Sequence, residues 1–270
     1  MLKLNVTTEE IVVNPYGKRG LTYTFAPCGE NHVGNQVVGK EGCVDTFSME
    51  ELRVIQATAT NSGVVADLID LGQYLPSQYG TYDAGVLVLR NALNIFHLTS
   101  EELFEEVTNL KYDTQFFDTR RKKVLNKLAR HNIIVGDFDQ KPVYEEGKGT
   151  VVSFTRTPCL NHIRTYLPTL LGEKASGLIA EANDYYDVDK CGIGYHGDAE
   201  RTMVVGLRIG AKFPLSYYWY HRSQRISQRI DLDLNSGDLY IMSEKAVGKD
   251  WKKSSLVTLR HSAGVKYVYK

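Results

Sequence analysis

Apolar residues recur along this chain at two different spacings, and the dominant spacing changes near residue 150. Before that point several segments follow the helical period. Ser48, with Glu51 three positions on, forms a capping box ahead of Leu52, Val54 and Ile55. Thr99 and Glu102 form a second one ahead of Leu103, Phe104 and Val107. The continuous apolar run at residues 84–90 predicts a buried strand. Leu125 and Leu128, with Val124 beside them, sit at helical spacing among Arg120, Arg121, Lys122, Lys123, Lys127, Arg130 and His131. That pattern predicts a helix with one apolar stripe and a cationic remainder. Glycines and polar residues between Cys28 and Cys43 predict a long loop or a pair of short hairpins, and residues 144–149 a hinge or an active-site loop.

Beyond residue 150 the period shortens. Residues 161–171 still read as a helix, with Ile163, Tyr166, Leu167 and Leu170 on one side and Pro168 leaving its far end open. Short strand-like runs follow at residues 177–181, 192–195, 203–209, 215–220, 226–234, 239–242 and 256–259, separated by turn signals such as Gly237-Asp238. Many short strands of this kind predict a sandwich or jelly-roll. The expected fold class is therefore α+β. Residues 1–150 form a mixed cap or buttress, packed against a β-rich domain at 151–270.

Composition changes this picture little. Lys plus Arg and Asp plus Glu each number 32 in 270 residues, so no global field favours a polyanion, and any such partner needs a local patch. No apolar run approaches the roughly 20 residues that span a bilayer, and the first residues lack the apolar core of a signal peptide. Cys28, Cys43, Cys159 and Cys191 are scattered, which argues against a disulfide framework or a structural zinc site. An intracellular, soluble protein with no membrane partner is expected.

The candidate chemistry lies in Tyr195-His196-Gly197-Asp198-Ala199-Glu200-Arg201. On an extended strand His196 and Asp198 leave the same face. Imidazole plus carboxylate suits Fe(II), and a second histidine would complete a facial triad with open positions. The alternative is a surface turn with a solvated Asp198.

Residues 178–264 resemble the double-stranded β-helix core of the AlkB-type 2-oxoglutarate- and Fe(II)-dependent dioxygenases. The resemblance is carried by Asn183-Asp184-Tyr185, by His196-Gly197-Asp198-Ala199-Glu200-Arg201, and by the strand from Val204 to Gly210. Gly237-Asp238-Leu239-Tyr240-Ile241-Met242 and Thr258-Leu259-Arg260 complete it. It implies His196 and Asp198 as iron ligands, Asn183 and Tyr185 as hydrogen-bonding contacts to 2-oxoglutarate, and Arg260 as the partner of a co-substrate carboxylate. Fe(II), 2-oxoglutarate and O2 are the implied cofactor and co-substrates. The implied reaction hydroxylates a C–H bond, or demethylates where that carbon sits on nitrogen.

Two departures stand out. The family's distal histidine should fall near Trp251, where the chain reads Asp250-Trp251-Lys252-Lys253, and the first closing arginine falls near Ser254. His261 is the candidate third ligand, with His221 and a site without iron as alternatives. On a regular strand Arg260 and His261 face opposite sides, so a bulge or turn would have to bring both to one pocket. Otherwise Lys266 or Lys270 takes the co-substrate role. The resemblance favours a nucleobase in DNA or RNA as substrate. Phosphate contacts are expected from the stretch Arg120 to Arg130, from Arg222, Arg225 and Arg229, and from Lys249 to Lys253. Tyr217, Tyr218, Trp219 and Tyr220 are candidate stacking surfaces, although alternate members of a strand normally face the core. A hydroxylase of protein side chains or small molecules, and an inactive binding module, are the competing readings.

Overall fold

The computed structural model describes residues 16–264. Strands β1 (Gly20–Ala26), β2 (Cys28–Glu30) and β3 (Val37–Gly39) lead to helix α1 (Met49–Asn61). The capping box starts α1 as expected: the Glu51 N–H donates to Ser48 Oγ at 3.1 Å and the Ser48 N–H to the Glu51 carboxylate at 2.9 Å. Strands β4 (Ala66–Asp70) and β5 (Gly85–Leu89) precede α2 (Ser100–Thr108), which the second capping box opens. Then come β6 (Gln115–Asp118), β7 (Lys123–Asn126), β8 (His131–Gly136), β9 (Val151–Ser153) and α3 (Pro158–Leu171). The remaining elements are β10 (Ile179–Tyr185), β11 (Ile193–His196), β12 (Val205–Gly210), β13 (Leu215–His221), β14 (Gln224–Arg225), β15 (Ile230–Leu232), β16 (Leu239–Met242), α4 (Glu244–Val247) and β17 (Thr258–Ala263).

Two large sheets, two small two-stranded ones (β2–β3 and β6–β7) and a helical layer organise these elements. The larger sheet runs β4-β5-β16-β12-β1-β10-β8-β9, and the smaller runs β11-β17-β13-β14 with β15 also on β13. Strand alternation gives the larger sheet two different apolar faces. Leu21, Tyr23 and Phe25 of β1 share one core with Ala180, Ala182, Leu207 and Ile209 and with Leu52 of α1, Leu103 of α2 and Ile163 of α3. On the opposite face, Val86, Val88 and Met242 meet Leu215, Trp219 and Leu259 of the smaller sheet. Trp219 is fully buried there, and its indole N–H is satisfied by the Leu71 carbonyl at 2.8 Å. The class is α+β, mostly strands. No helix among the described residues is long and apolar enough to cross a membrane.

Three expectations need correction. The division near residue 150 does not separate the sheets, because β1, β4, β5 and β8 share the larger sheet with β9, β10, β12 and β16. The N-terminal strand β1 lies between β10 and β12, hydrogen-bonded to both. The basic segment at 120–130 is not a helix. Residues 115–126 form the β6–β7 hairpin, with Phe116 opposite Leu125. Asp118 decides this locally: its carboxylate accepts the Arg120 and Arg121 N–H groups at 3.0 and 2.8 Å, and Lys122 takes φ 49°. Such a side-chain-to-backbone turn competes directly with helix formation. The final predicted strand, at residues 256–259, is shifted. Pairing of β17 with β13 runs from Thr258 to Ala263, which places His261 in mid-strand.

Candidate metal centre

His196 and His261 are direct cross-strand partners on β11 and β17. Ile193 pairs with Ala263, so three steps along β11 match two along β17, and the extra residue is a bulge. The bulge turns both Ile193 and His196 inward, although an odd number of positions separates them. Asp198 is not on the strand; β11 ends at His196, and Gly197 turns the chain. The Asp198 N–H donates to the Val247 carbonyl at 3.0 Å at the end of α4. A Cβ on Gly197 would lie 2.1 Å from the Gly248 carbonyl oxygen, so only glycine allows this approach.

The three side chains converge. Asp198 Oδ1 lies 3.7 Å from His196 Nε2 and 3.8 Å from His261 Nε2. One ligating atom from each residue fits within a 4.8 Å cluster. His196 Nδ1 sits 2.7 Å from the Gly194 carbonyl, which it can contact only as an N–H donor. The lone pair is thereby left on Nε2, facing Asp198. His261 is buried; that burial, with His196 beside it, pushes its pKa well below the ordinary histidine range. His261 is thus available in the neutral form that binds metal. Two imidazoles and one carboxylate suit a divalent transition metal with open positions.

These ligands open onto a cavity of about 400 Å³ between the two sheets. Its floor is a set of rungs across β10, β1 and β12. Asn183 is opposite Thr22, which is opposite Arg208; Glu181 is opposite Thr24, which is opposite Gly206. A Cβ on Gly206 would meet the Tyr240 ring at 2.0 Å, so the glycine lets that ring lie across β12. Arg201 ties the floor to the ligands: it donates to Glu181 at 2.7 Å, and its Nε lies 3.8 Å from Asp198 Oδ2. Burial opposes ionisation of Glu181, but Arg201 and Arg130 outweigh it and hold the carboxyl down to about 2. At the mouth, His32 packs on Phe116 of the basic hairpin with ring centroids 3.6 Å apart. Burial, helped by Lys127 and Arg130, lowers His32 to about 4.

Of the residues singled out in the sequence, His196, Asp198, His261, Asn183 and Tyr185 line this cavity together. Arg260 does not. β17 has no bulge between Thr258 and Ala263 in its pairing with β13, so Arg260 faces the outer side, over the rings of Tyr220 (4.2 Å) and Trp251 (5.4 Å). His221 packs against Tyr79 and is not among the lining residues. Lys266 and Lys270 fall outside the described residues. Tyr217 and Trp219 are buried and serve packing, not base stacking. Within the basic stretch, Lys127 is buried on Asn31 and Asn132 and pushed by burial to about 8, and Arg130 is engaged by Glu181 and Asn183. Sequence reasoning missed Arg208, Tyr240 and Glu181. Their signal was the alternation of β10, β12 and β16, which sets polar residues on one face of otherwise apolar strands.

No protein-family model matches the chain. "Uncharacterized protein R156" of Acanthamoeba polyphaga mimivirus is 43% identical over 249 residues, covering 92% of this chain and 96% of that protein. The chain belongs to the family of that viral protein. The match is long enough to take in both sides of residue 150, as the shared sheet requires, and the viral protein's name states no activity.

Proposed function

We propose that the protein is a 2-oxoglutarate- and Fe(II)-dependent oxygenase on a double-stranded β-helix, acting on a C–H bond of a nucleobase in DNA or RNA. The observation that carries this reading is the convergence of His196, Asp198 and His261 on a cavity that Asn183 and Tyr185 also line. The finer fold is supported by connectivity. β10, β12 and β16 lie in the larger sheet and β11, β13 and β17 in the smaller, so the chain passes back and forth between sheets.

Fe(II) bound there with 2-oxoglutarate and O2 supplies the oxidising power to break a C–H bond. The chain's own residues do the rest. His196 and His261 present their Nε2 atoms, and Asp198 its carboxylate. Arg201, beside Asp198, helps hold that carboxylate in place. The aromatic wall of Tyr185 and Tyr240 limits water. A nucleic-acid substrate is supported by the hairpin tip, where Arg120, Arg121, Lys122 and Lys123 are all exposed. This hairpin reaches the cavity mouth through the His32–Phe116 contact. Arg222 and Arg225, also exposed, are a second candidate phosphate contact.

The test is an anaerobic titration of the protein with Fe(II) and 2-oxoglutarate, following the visible charge-transfer band of the chelate. The band is expected in the wild type and is expected to vanish in His196→Ala and His261→Ala. Its absence from folded wild-type protein overturns the reading and leaves a binding module as the account.

A further inference from the structure

Arg208 is the least explained charge among the described residues. It sits in the centre of the larger sheet on β12, 1% exposed, and lines the cavity. Its Nε and Nη1 atoms are buried without a hydrogen-bond partner. Among the described residues no carboxylate forms an ion pair with it; its walls are the rings of Phe213 and Tyr185, with centroids 5.1 and 5.9 Å from the guanidinium carbon. Thr22, its direct cross-strand neighbour, also has a buried Oγ1 without a partner. A buried guanidinium with empty donors is expensive, and native proteins keep such groups satisfied unless something else fills them. Arg201, also buried, differs in its ion pairs: Glu181 and Glu200 both pair with it, although its Nη1 is without a partner too.

The geometry points to Arg208 and Thr22 as the anchor for the distal carboxylate of a small dicarboxylate. A guanidinium binds a carboxylate through two parallel N–H donors, and the Thr22 hydroxyl supplies a third. The Tyr185 and Phe213 rings leave little room for hydration, so a ligand oxygen in place of water gains strength there. The ligand class follows from what shares the cavity: carboxylate recognition at Arg208 and metal ligands at His196, Asp198 and His261. A 2-oxo dicarboxylate has a group for each end. For the metal-binding end this inference rests on the proposed function; for the carboxylate end it stands on Arg208 and Thr22 alone. It replaces Arg260 as the anchor and moves the role from β17 to β12, with β1 from the N-terminal side contributing Thr22.

The experiment uses the full chain and measures binding, not turnover. Glutarate, a dicarboxylate without a chelating group, is titrated against metal-free protein by NMR. 2-Oxoglutarate and pyruvate are then titrated calorimetrically in the presence of Mn(II). Glutarate is expected to bind weakly to wild type and not to Arg208→Met. With Mn(II), Arg208→Met is expected to lose about 100-fold or more in 2-oxoglutarate affinity, the scale of a lost charge-assisted pair. Pyruvate, which lacks the second carboxylate, is expected to change little, and Thr22→Val to lose less than Arg208→Met. Arg260→Gln is expected to bind as wild type does. Because Arg208→Met removes an unpaired buried charge, the metal-free variant should melt at or above the wild-type temperature, which a merely structural arginine would not do. Unchanged 2-oxoglutarate binding in Arg208→Met, or its loss in Arg260→Gln, overturns the assignment. Failure of Mn(II) to bind would count against the metal centre only; glutarate binding without metal still decides Arg208.

Discussion

His196 and His261 face each other across neighbouring strands with ring centroids 4.5 Å apart, although 64 residues of chain lie between them. β11 is an edge strand, held to β17 by only two registered pairs around a bulge. A metal ion bound to both rings therefore clamps a sheet edge. At a free concentration 100 times its dissociation constant, it adds about 2.7 kcal/mol of stability. For a chain of this size that is a rise in Tm of roughly 5–10 °C. Thermal unfolding with Mn(II) and with EDTA should show this rise in wild type and not in His261→Ala. An equal rise in both would mean the ion binds elsewhere.

Gly197 matters to the same centre without ligating anything. With the Gly248 carbonyl 2.1 Å from where a Cβ would stand, Gly197→Ala must push the His196–Asp198 turn away from α4. The Asp198 N–H bond to Val247 is then strained or broken. Supporting contacts around a metal site are commonly worth 10- to 100-fold in affinity. Mn(II) affinity of Gly197→Ala is expected to fall by about that range, while all three ligands remain.

How much of this was legible beforehand differs residue by residue. Both capping boxes were readable because their signal is local: Ser48 and Glu51, or Thr99 and Glu102, settle the helix start between themselves. His196, Asp198 and His261 were legible as residue types, but not the means of joining them. Sequence spacing suggested a strand carrying His196 and Asp198 on one face; the structure uses a bulge and a glycine turn instead. Arg260 was misplaced because β17 runs on past it, so its orientation depended on where pairing ends. Arg208 was invisible, because its meaning comes from neighbours on β1 and β10 that are distant in sequence. The β6–β7 hairpin was read as a helix because Leu125 and Leu128 fit a helical spacing by coincidence. The Asp118 turn, not apolar periodicity, sets that segment.

Glu181 links folding to pH. Its carboxyl is held at about 2 against an ordinary value of 4.5. A depressed pKa contributes stability that is present above 4.5 and lost as pH falls from there toward 2. The full contribution is about 3 kcal/mol. Urea unfolding at pH 7, 4 and 3 should show the loss, and Glu181→Gln should flatten it. Arg201→Met leaves Glu181 and Glu200 short of a partner in a buried setting, and is expected to destabilise by about 3–5 kcal/mol at pH 7. The double variant Glu181→Gln with Arg201→Met should recover part of that loss. Additive losses would show that the two groups act independently.

The basic hairpin gives the substrate proposal its own number. Arg120, Arg121, Lys122 and Lys123 are exposed at the tip; Asp118 accepts the backbone N–H groups of Arg120 and Arg121. Each phosphate contact with single-stranded nucleic acid contributes about 0.7 to the slope of log affinity against log salt. Replacing all four cations with glutamine should therefore shallow that slope by roughly 3 for an oligonucleotide. Lys127 is a poor site for the same test, because it is buried on Asn31 and Asn132 and its loss would disturb folding. The four-fold variant should melt as wild type does and keep its Mn(II) affinity, since none of the four touches the cavity. An unchanged slope would show that the hairpin does not meet phosphate. A protein side chain or a small molecule would then be the better substrate class for the same metal centre.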